Sequence, residues 1–180
     1  MLKKILTAVL AVLLLASVLI ATRPAHFRVE RSAQIHAPSA AVFPLINDFR
    51  NWAKWSPYEK LDPGMKKTYG GAPSGRGAEY AWSGNDKAGV GRMTITDSKP
   101  SELVSMKLEF LKPFAATNQA TFELTPNAAG TEVKWSMEGE NGFVAKAFCL
   151  VVDMDSLVGK DFETGLSNLN QLAQAAPPTP

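Results

Sequence analysis

The stretch Phe27-Arg-Val-Glu-Arg-Ser-Ala-Gln-Ile-His-Ala-Pro-Ser39 decides how the folded part of the chain begins. Apolar and polar residues alternate from Phe27 to Ile35, which predicts a β-strand with one buried face. Ala37-Pro38-Ser39 ends this strand and starts a helix, because proline is tolerated in a first helical turn. Arg31 falls on the apolar face of the strand, either as strain at a strand end or as a polar group aimed into a cavity.

Short helices and a sheet follow this opening. The apolar residues between 42 and 46 continue the helix to Asn47-Asp48, and Asp48 can cap a second short helix that Ser56-Pro57 ends. About six strands joined by tight turns come next, with hairpin turns at Lys99-Pro100-Ser101 and Pro126-Asn-Ala-Ala-Gly130. Together with the first strand they predict an antiparallel sheet.

The spacing of apolar residues changes after Gly142. From Val144 to Leu172 they recur at steps of three and four, which predicts one C-terminal helix of about thirty residues. The order of elements predicts an α+β domain in which a curved antiparallel sheet wraps around this long helix.

Residues 5–21 form an uncharged apolar run between Lys3-Lys4 and Arg23-Pro24. As a helix, the run is about 25 Å long, slightly short for a hydrocarbon core of about 30 Å. A secretory signal begins in the same way but needs small residues before its cleavage site, and Leu19 occupies one of those positions for a cut after Ala21. We therefore expect an uncleaved transmembrane helix, with a signal segment as the alternative.

The flanking charges do not orient this run, because basic residues lie on both sides of it. A short N-terminal tail usually stays in the cytoplasm. We therefore expect a single-pass protein of the cell inner membrane with its domain on the periplasmic side.

Composition excludes several classes of protein. Apolar residues make up 46% of the chain and charged residues 20%, which is enough for a folded core. Cys149 is the single cysteine, so there is no internal disulfide, and with His26 and His36 it makes no zinc-binding set. No metal or cofactor is expected. Basic residues are spread along the chain, which argues against nucleic-acid binding.

Several motifs resemble one family of folds. Those near the start of the domain are Ile35-His-Ala-Pro38, Asn47-Asp48 and Trp55-Ser-Pro57, and they look like the opening of the SRPBCC superfamily, the START-like or Bet v 1-like helix-grip proteins. Those further on are Gly91-Arg-Met-Thr-Ile95, Gly130-Thr-Glu-Val-Lys-Trp135 and Gly159-Lys-Asp-Phe-Glu-Thr-Gly-Leu166, and they are similar to bacterial members labelled polyketide cyclase/dehydrase-like. The resemblance covers roughly residues 27–173. It implies a deep cavity between sheet and helix that holds a lipid, sterol, polyketide or other apolar molecule.

Candidates for catalysis are few, because no nucleophile elbow, metal-ligand pair or serine triad can be assembled. The weak candidates are Tyr80, Arg92 and Asp155. Asp155 flanks the apolar stripe of the last helix and would serve as a general acid if it pointed into the cavity. Arg92 would meet an acidic ligand head, unless it is simply an exposed strand arginine.

An apolar set rich in aromatic rings and thioethers suits a pocket that adapts to its guest. Composition does not separate such a pocket from a filled core, and the family resemblance favours the pocket. The predicted ligand-binding residues are Tyr80, Trp82, Met93, Met106, Phe122, Trp135, Met137, Met154 and Val158.

We expect three parts: a membrane anchor or signal segment over 1–24, a START-like domain over 25–174, and a disordered tail over 175–180. The leading hypothesis is a membrane-anchored domain that binds or transfers a hydrophobic small molecule or lipid. One alternative is an enzyme of the polyketide cyclase, dehydratase or hydrolase type that uses polar groups of the cavity. The other is an accessory domain that recognises a protein partner, whose identity the sequence leaves open.

Overall fold

The computed structural model describes residues 1–150 and 152–175, so most of the predicted tail lies outside the described residues. Within these residues, seven antiparallel strands form one sheet in the order β1-β7-β6-β5-β4-β3-β2. The strands are β1 (His26–Ile35), β2 (Lys66–Gly71), β3 (Ala78–Ser83), β4 (Val90–Lys99), β5 (Leu103–Lys112), β6 (Ala116–Asn127) and β7 (Gly130–Glu140). The predicted turns at 99–101 and 126–130 connect β4 to β5 and β6 to β7, as their proline and glycine residues favour.

In the described part of the chain, four α-helices and two short 3₁₀ helices accompany the sheet. They are α1 (Leu2–Ala21), α2 (Ser39–Asn47), the 3₁₀ helices Phe49–Lys54 and Pro57–Lys60, α3 (Phe143–Phe148) and α4 (Met154–Ala175). Asp48 caps the first 3₁₀ helix, since its Oδ1 accepts a hydrogen bond from the Arg50 N–H at 2.9 Å. The predicted α+β helix-grip fold is confirmed.

The core lies between α4 and the inner face of the sheet. Its centre is a cluster of aromatic rings in which Trp135 of β7 stacks on Phe162 of α4, with ring centroids 4.0 Å apart. Phe122 stacks on the same indole at 4.7 Å, and Trp55 meets it edge-on. These rings fill the space directly beneath α4.

The prediction of one continuous C-terminal helix is wrong. The chain forms the short α3 and then starts again as α4 at Met154. Asp153 explains the new start, because its carboxylate accepts hydrogen bonds from the Ser156 N–H at 3.2 Å and from the Ser156 hydroxyl at 2.7 Å. A side chain that bonds the free N–H groups of a first turn favours a helix start over a helix interior.

Arg31 connects β1 to α4 rather than pointing into a cavity. Its guanidinium donates to Asp155 at 3.0 Å and to Glu163 at 2.9 Å. Gly159 lies between these two residues, one helical turn from each. A Cβ at Gly159 would lie 2.0 Å from Arg31 Nη2, so the missing side chain provides the space for the guanidinium. Both carboxylates raise the pKa of Arg31, with Asp155 the larger cause.

The N-terminal helix α1 stands apart from the core, and of its residues Ile20 alone is half-buried. It is long and apolar enough to cross a bilayer, a property that membrane anchors and signal sequences share.

Candidate ligand-binding site

Two adjoining pockets lie at the end of the sheet where β1 begins. The more enclosed one has a volume of about 80 Å³ and opens beside a wider groove of about 510 Å³. The enclosed pocket is lined by Phe27, Asn141, Ala145, Phe148, Cys149 and Met154. Five of these six side chains are apolar, so the pocket suits part of a hydrocarbon chain better than a polar molecule.

Gly139 of β7 lies beside Phe27, one of the residues that line the pocket. A Cβ on Gly139 would lie 2.2 Å from Asn118 Oδ1 and 3.1 Å from the ring of Phe27, so this glycine lets the two side chains approach each other. Asn118 is buried, and its Nδ2 lies 3.8 Å from the Met137 sulfur. A thioether is a weak acceptor, so this buried amide retains capacity for a stronger partner.

A row of inner-face side chains lies two residues along the strands from the Phe27–Gly139 pair. The strand register places Val29, Met137, Ala120 and Met106 on neighbouring strands of the inner face, in that order. Both methionines are buried. Because methionine has three rotatable side-chain bonds, Met137 and Met106 can change shape more readily than branched side chains at the same positions would.

The indole N–H of Trp135 is a buried donor without a hydrogen-bond partner in the described residues. Trp135 is 3% exposed. Leaving a buried donor unpaired costs about 1–3 kcal/mol. An acceptor atom of a bound molecule could take a hydrogen bond from this N–H.

A polar cluster that the sequence did not reveal lies at the far side of the sheet. Tyr80 donates a hydrogen bond to Glu59 Oε1 at 2.6 Å, and Lys67 pairs with Glu59 Oε2. The Glu59 side chain is 6% exposed. Burial and this hydrogen bond raise the pKa of Tyr80. Glu59 lies on a short 3₁₀ helix without an apolar period, so no sequence pattern marked it.

Two of the three weak catalytic candidates do not face the interior. Arg92 lies on the outer face, where it forms two hydrogen bonds with Glu109, at 2.7 and 3.1 Å. Arg92, followed by Lys107, lowers the pKa of Glu109 to about 2. Asp155 is exposed and pairs with Arg31. Arg92 is therefore the exposed strand arginine that the sequence left open as an alternative. The hypothesis that Asp155 points into a cavity is corrected, because Arg31 holds its carboxylate outside.

The predicted ligand-binding residues lie on the inner face of the sheet or on the side of α4 that covers it. Tyr80, Met93, Met106, Phe122, Trp135 and Met137 are buried there, while Trp82, Met154 and Val158 are half-buried. Trp82 lies over Gly91 and donates its Nε1–H to the Ala88 carbonyl at 2.9 Å. Of the set, Met154 lines both pockets.

A family model described as polyketide cyclase / dehydrase and lipid transport matches residues 26–174. The chain belongs to this family. The resemblance to the SRPBCC superfamily is thereby confirmed. Membership of the polyketide cyclase / dehydrase and lipid transport family supports a ligand-binding helix-grip domain. No curated protein matches the sequence.

Solved structures of the same fold confirm the architecture of this family member. Protein MLL2253 from Mesorhizobium loti superposes with a TM-score of 0.62 at 18% identity, over 84% of this chain and 99% of its own. Protein CV1439 from Chromobacterium violaceum gives 0.57 at 15% identity, over 85% and 100%. DynU16, a putative protein in the dynemicin biosynthetic locus, gives 0.57 at 16% identity, over 84% of this chain and 48% of its own. At these identities the likeness shows the fold alone.

Proposed function

We propose that this chain is a membrane-anchored domain that binds a hydrophobic small molecule or lipid between the sheet and α4. The observation that carries the proposal is the apolar pocket beside Phe27 and Met154, which opens at the end of the sheet from which α1 extends. In this arrangement 1–24 is the anchor and 25–174 the binding domain, on the periplasmic side of the inner membrane.

Two buried polar groups on the inner face of the sheet support a ligand with an apolar body and at least one acceptor atom. Among the described residues, the Asn118 amide has only the Met137 sulfur as an acceptor and the Trp135 N–H has none. The predicted residues Met106, Met137 and Phe122 would form the walls. A ligand can enter the space between the sheet and α4 only if side chains rearrange, because the aromatic cluster fills that space.

Mass spectrometry of the full chain tests this proposal. The protein is extracted in an amphipathic polymer, and bound molecules are released by denaturation and quantified. Ala145→Phe should displace most of the bound molecule, because Ala145 lines the enclosed pocket. Ala128→Phe, in the exposed turn at the opposite end of the sheet, is the matched control and should retain it. A chain that neither carries nor takes up a lipid would contradict binding.

The anchor and its orientation are tested separately. Intact mass of the purified chain shows whether residues 1–24 are retained. Labelling of Ala128→Cys by an impermeant maleimide in intact cells, in a Cys149→Ser background, is expected for a periplasmic domain. Labelling only after lysis would place the domain in the cytoplasm.

A second function is favoured by one observation, the buried pair of Tyr80 and Glu59 beside Lys67. A carboxylate and a phenol in contact can move a proton, as loss of water from a bound molecule requires. In that reaction a C–H proton passes to Glu59 and the leaving hydroxyl takes a proton from Tyr80. However, five strand spacings, about 24 Å, separate Tyr80 from Phe27 along the sheet. This separation along the sheet sets the cluster apart from the pocket and favours binding over catalysis.

Tyr80→Phe distinguishes the two functions. For an enzyme, the molecule released from the variant should be heavier than that from the wild type by one water. For a binding protein, the two released molecules should have the same mass.

A further inference from the structure

One end of the domain exposes large apolar side chains from two separate segments. The first is the hairpin tip between β5 and β6, and the second is α3. We name these side chains the apolar end surface: Leu111 (54% exposed), Phe114 (70%), Phe143 (54%), Val144 (62%) and Phe148 (53%). Exposed apolar patches of this kind mark interaction sites on folded proteins.

Strand order brings the two segments to the same end of the sheet. Phe110 pairs with Ala116 at the start of β6, and Asn118 pairs with Gly139 at the end of β7, where the chain passes into α3. Two strand spacings, about 10 Å, therefore separate the hairpin tip from the end of β7. The turns around Ser101 and Ala128 lie at the opposite end.

The same end of the sheet is where α1 joins the domain. Residues 22–25 link α1 to β1, and the Ala25 carbonyl accepts a hydrogen bond from the Asn141 N–H at 2.7 Å. Cα atoms of α3 come within 8 Å of those of α1. The apolar end surface is thus continuous with the segment proposed to enter the bilayer.

The charges of the two segments suit a lipid surface. Lys112 lies in the hairpin tip and Lys146 in α3, and neither 111–115 nor 143–150 contains an aspartate or glutamate. Aromatic side chains flanked by lysines are favoured at the membrane interface, where the rings enter the headgroup layer and the ammonium groups meet anionic lipids.

We propose that the apolar end surface rests in the interface of the bilayer that α1 enters, an inference that relies on the proposed membrane anchoring. Phe148 connects this surface to the site, because it is exposed and also lines the enclosed pocket. The pocket mouth then faces the acyl chains, and a lipid reaches it without crossing water.

Depth-dependent quenching in the full-length chain tests the proposal. Single cysteines in a Cys149→Ser background carry an environment-sensitive fluorophore at position 114, 144, 17 or 128. The chain is reconstituted in vesicles of phosphatidylcholine and phosphatidylglycerol, with or without doxyl-labelled lipid. Position 17 lies within α1, and position 128 in the distal turn is the control.

The four probes test the membrane anchor and the apolar end surface separately. We expect strong quenching at 17, comparable quenching at 114 and 144, and severalfold less at 128. If the probe at 17 is quenched but the probes at 114 and 144 are quenched no more than the one at 128, the apolar end surface does not rest in the bilayer. The anchor would remain supported in that case. A probe at 17 that is not quenched would overturn the anchor and, with it, this inference. Concentration-dependent shielding of 114 without lipid quenching would overturn it in favour of self-association.

Discussion

Replacing Phe162 by alanine should remove a large part of the stability of the domain. Its ring is 2% exposed and lies nearly parallel to the Trp135 indole, with an interplanar angle of 9°. A buried aromatic side chain removes about 150–250 Å² from water, which at about 25 cal/mol per Å² corresponds to roughly 4–6 kcal/mol. Alanine retains part of this area, and measured losses for buried phenylalanine are about 3–5 kcal/mol. We expect a loss of about 4 kcal/mol.

Urea unfolding of the full chain in mild detergent, followed by far-ultraviolet circular dichroism, measures this loss. The slope of free energy against urea should be the same for variant and wild type, so that the shift in midpoint reports stability. Leu157→Ala, on the same helix but 53% exposed, is the control and should change stability by less than about 0.5 kcal/mol. A loss below about 2 kcal/mol for Phe162→Ala would refute the tight packing of α4 on the sheet, since the ring would then not be buried in solution.

Three further outcomes are expected. Burial and the hydrogen bond to Glu59 raise the pKa of Tyr80 above its ordinary 10.0, so the folded state keeps a proton that the unfolded state releases. Stability should therefore hold below pH 10 and fall above it, and urea midpoints in a pH series should fall less for Tyr80→Phe. Asp48→Ala should cost about 1 kcal/mol in the same urea assay by removing the bond to the Arg50 N–H, and Asp48→Asn should restore most of it. Gly165→Ala should lower the thermal midpoint, because its Cβ would lie 2.8 Å from the Trp135 ring, and overpacking of about 1–3 kcal/mol outweighs a helix gain of about 1 kcal/mol. A rise in that midpoint would show that the ring can move.

Local patterns predicted most of the fold. The alternation from Phe27 to Ile35 and the turns at 99–101 and 126–130 carry their information within a few residues, and the structure reproduces them. The break before α4 was missed because apolar residues keep helical spacing across it. The capping side chain of Asp153 is the signal in the sequence that marks this break.

The candidate site was less predictable, because its neighbours are distant in sequence. Glu59 meets Tyr80 across 21 residues, and Arg31 meets Asp155 across 124. The alternation of β4 gives the outward direction of Arg92, but its partner Glu109 follows only from the register of β4 with β5. The pocket depends on where the short α3 turns back, which composition does not determine.

The position of β1 in the sheet has a consequence for biosynthesis. β1 pairs with β7 and packs beneath α4, so the first strand to leave the ribosome has its partners in the last third of the chain. At about 5–20 residues per second, β1 waits roughly 5–20 s for β7 to be made. Until β7 is made, the edge of β1 that pairs with it lacks its partner strand, and the proposed insertion of α1 would hold that edge beside the membrane.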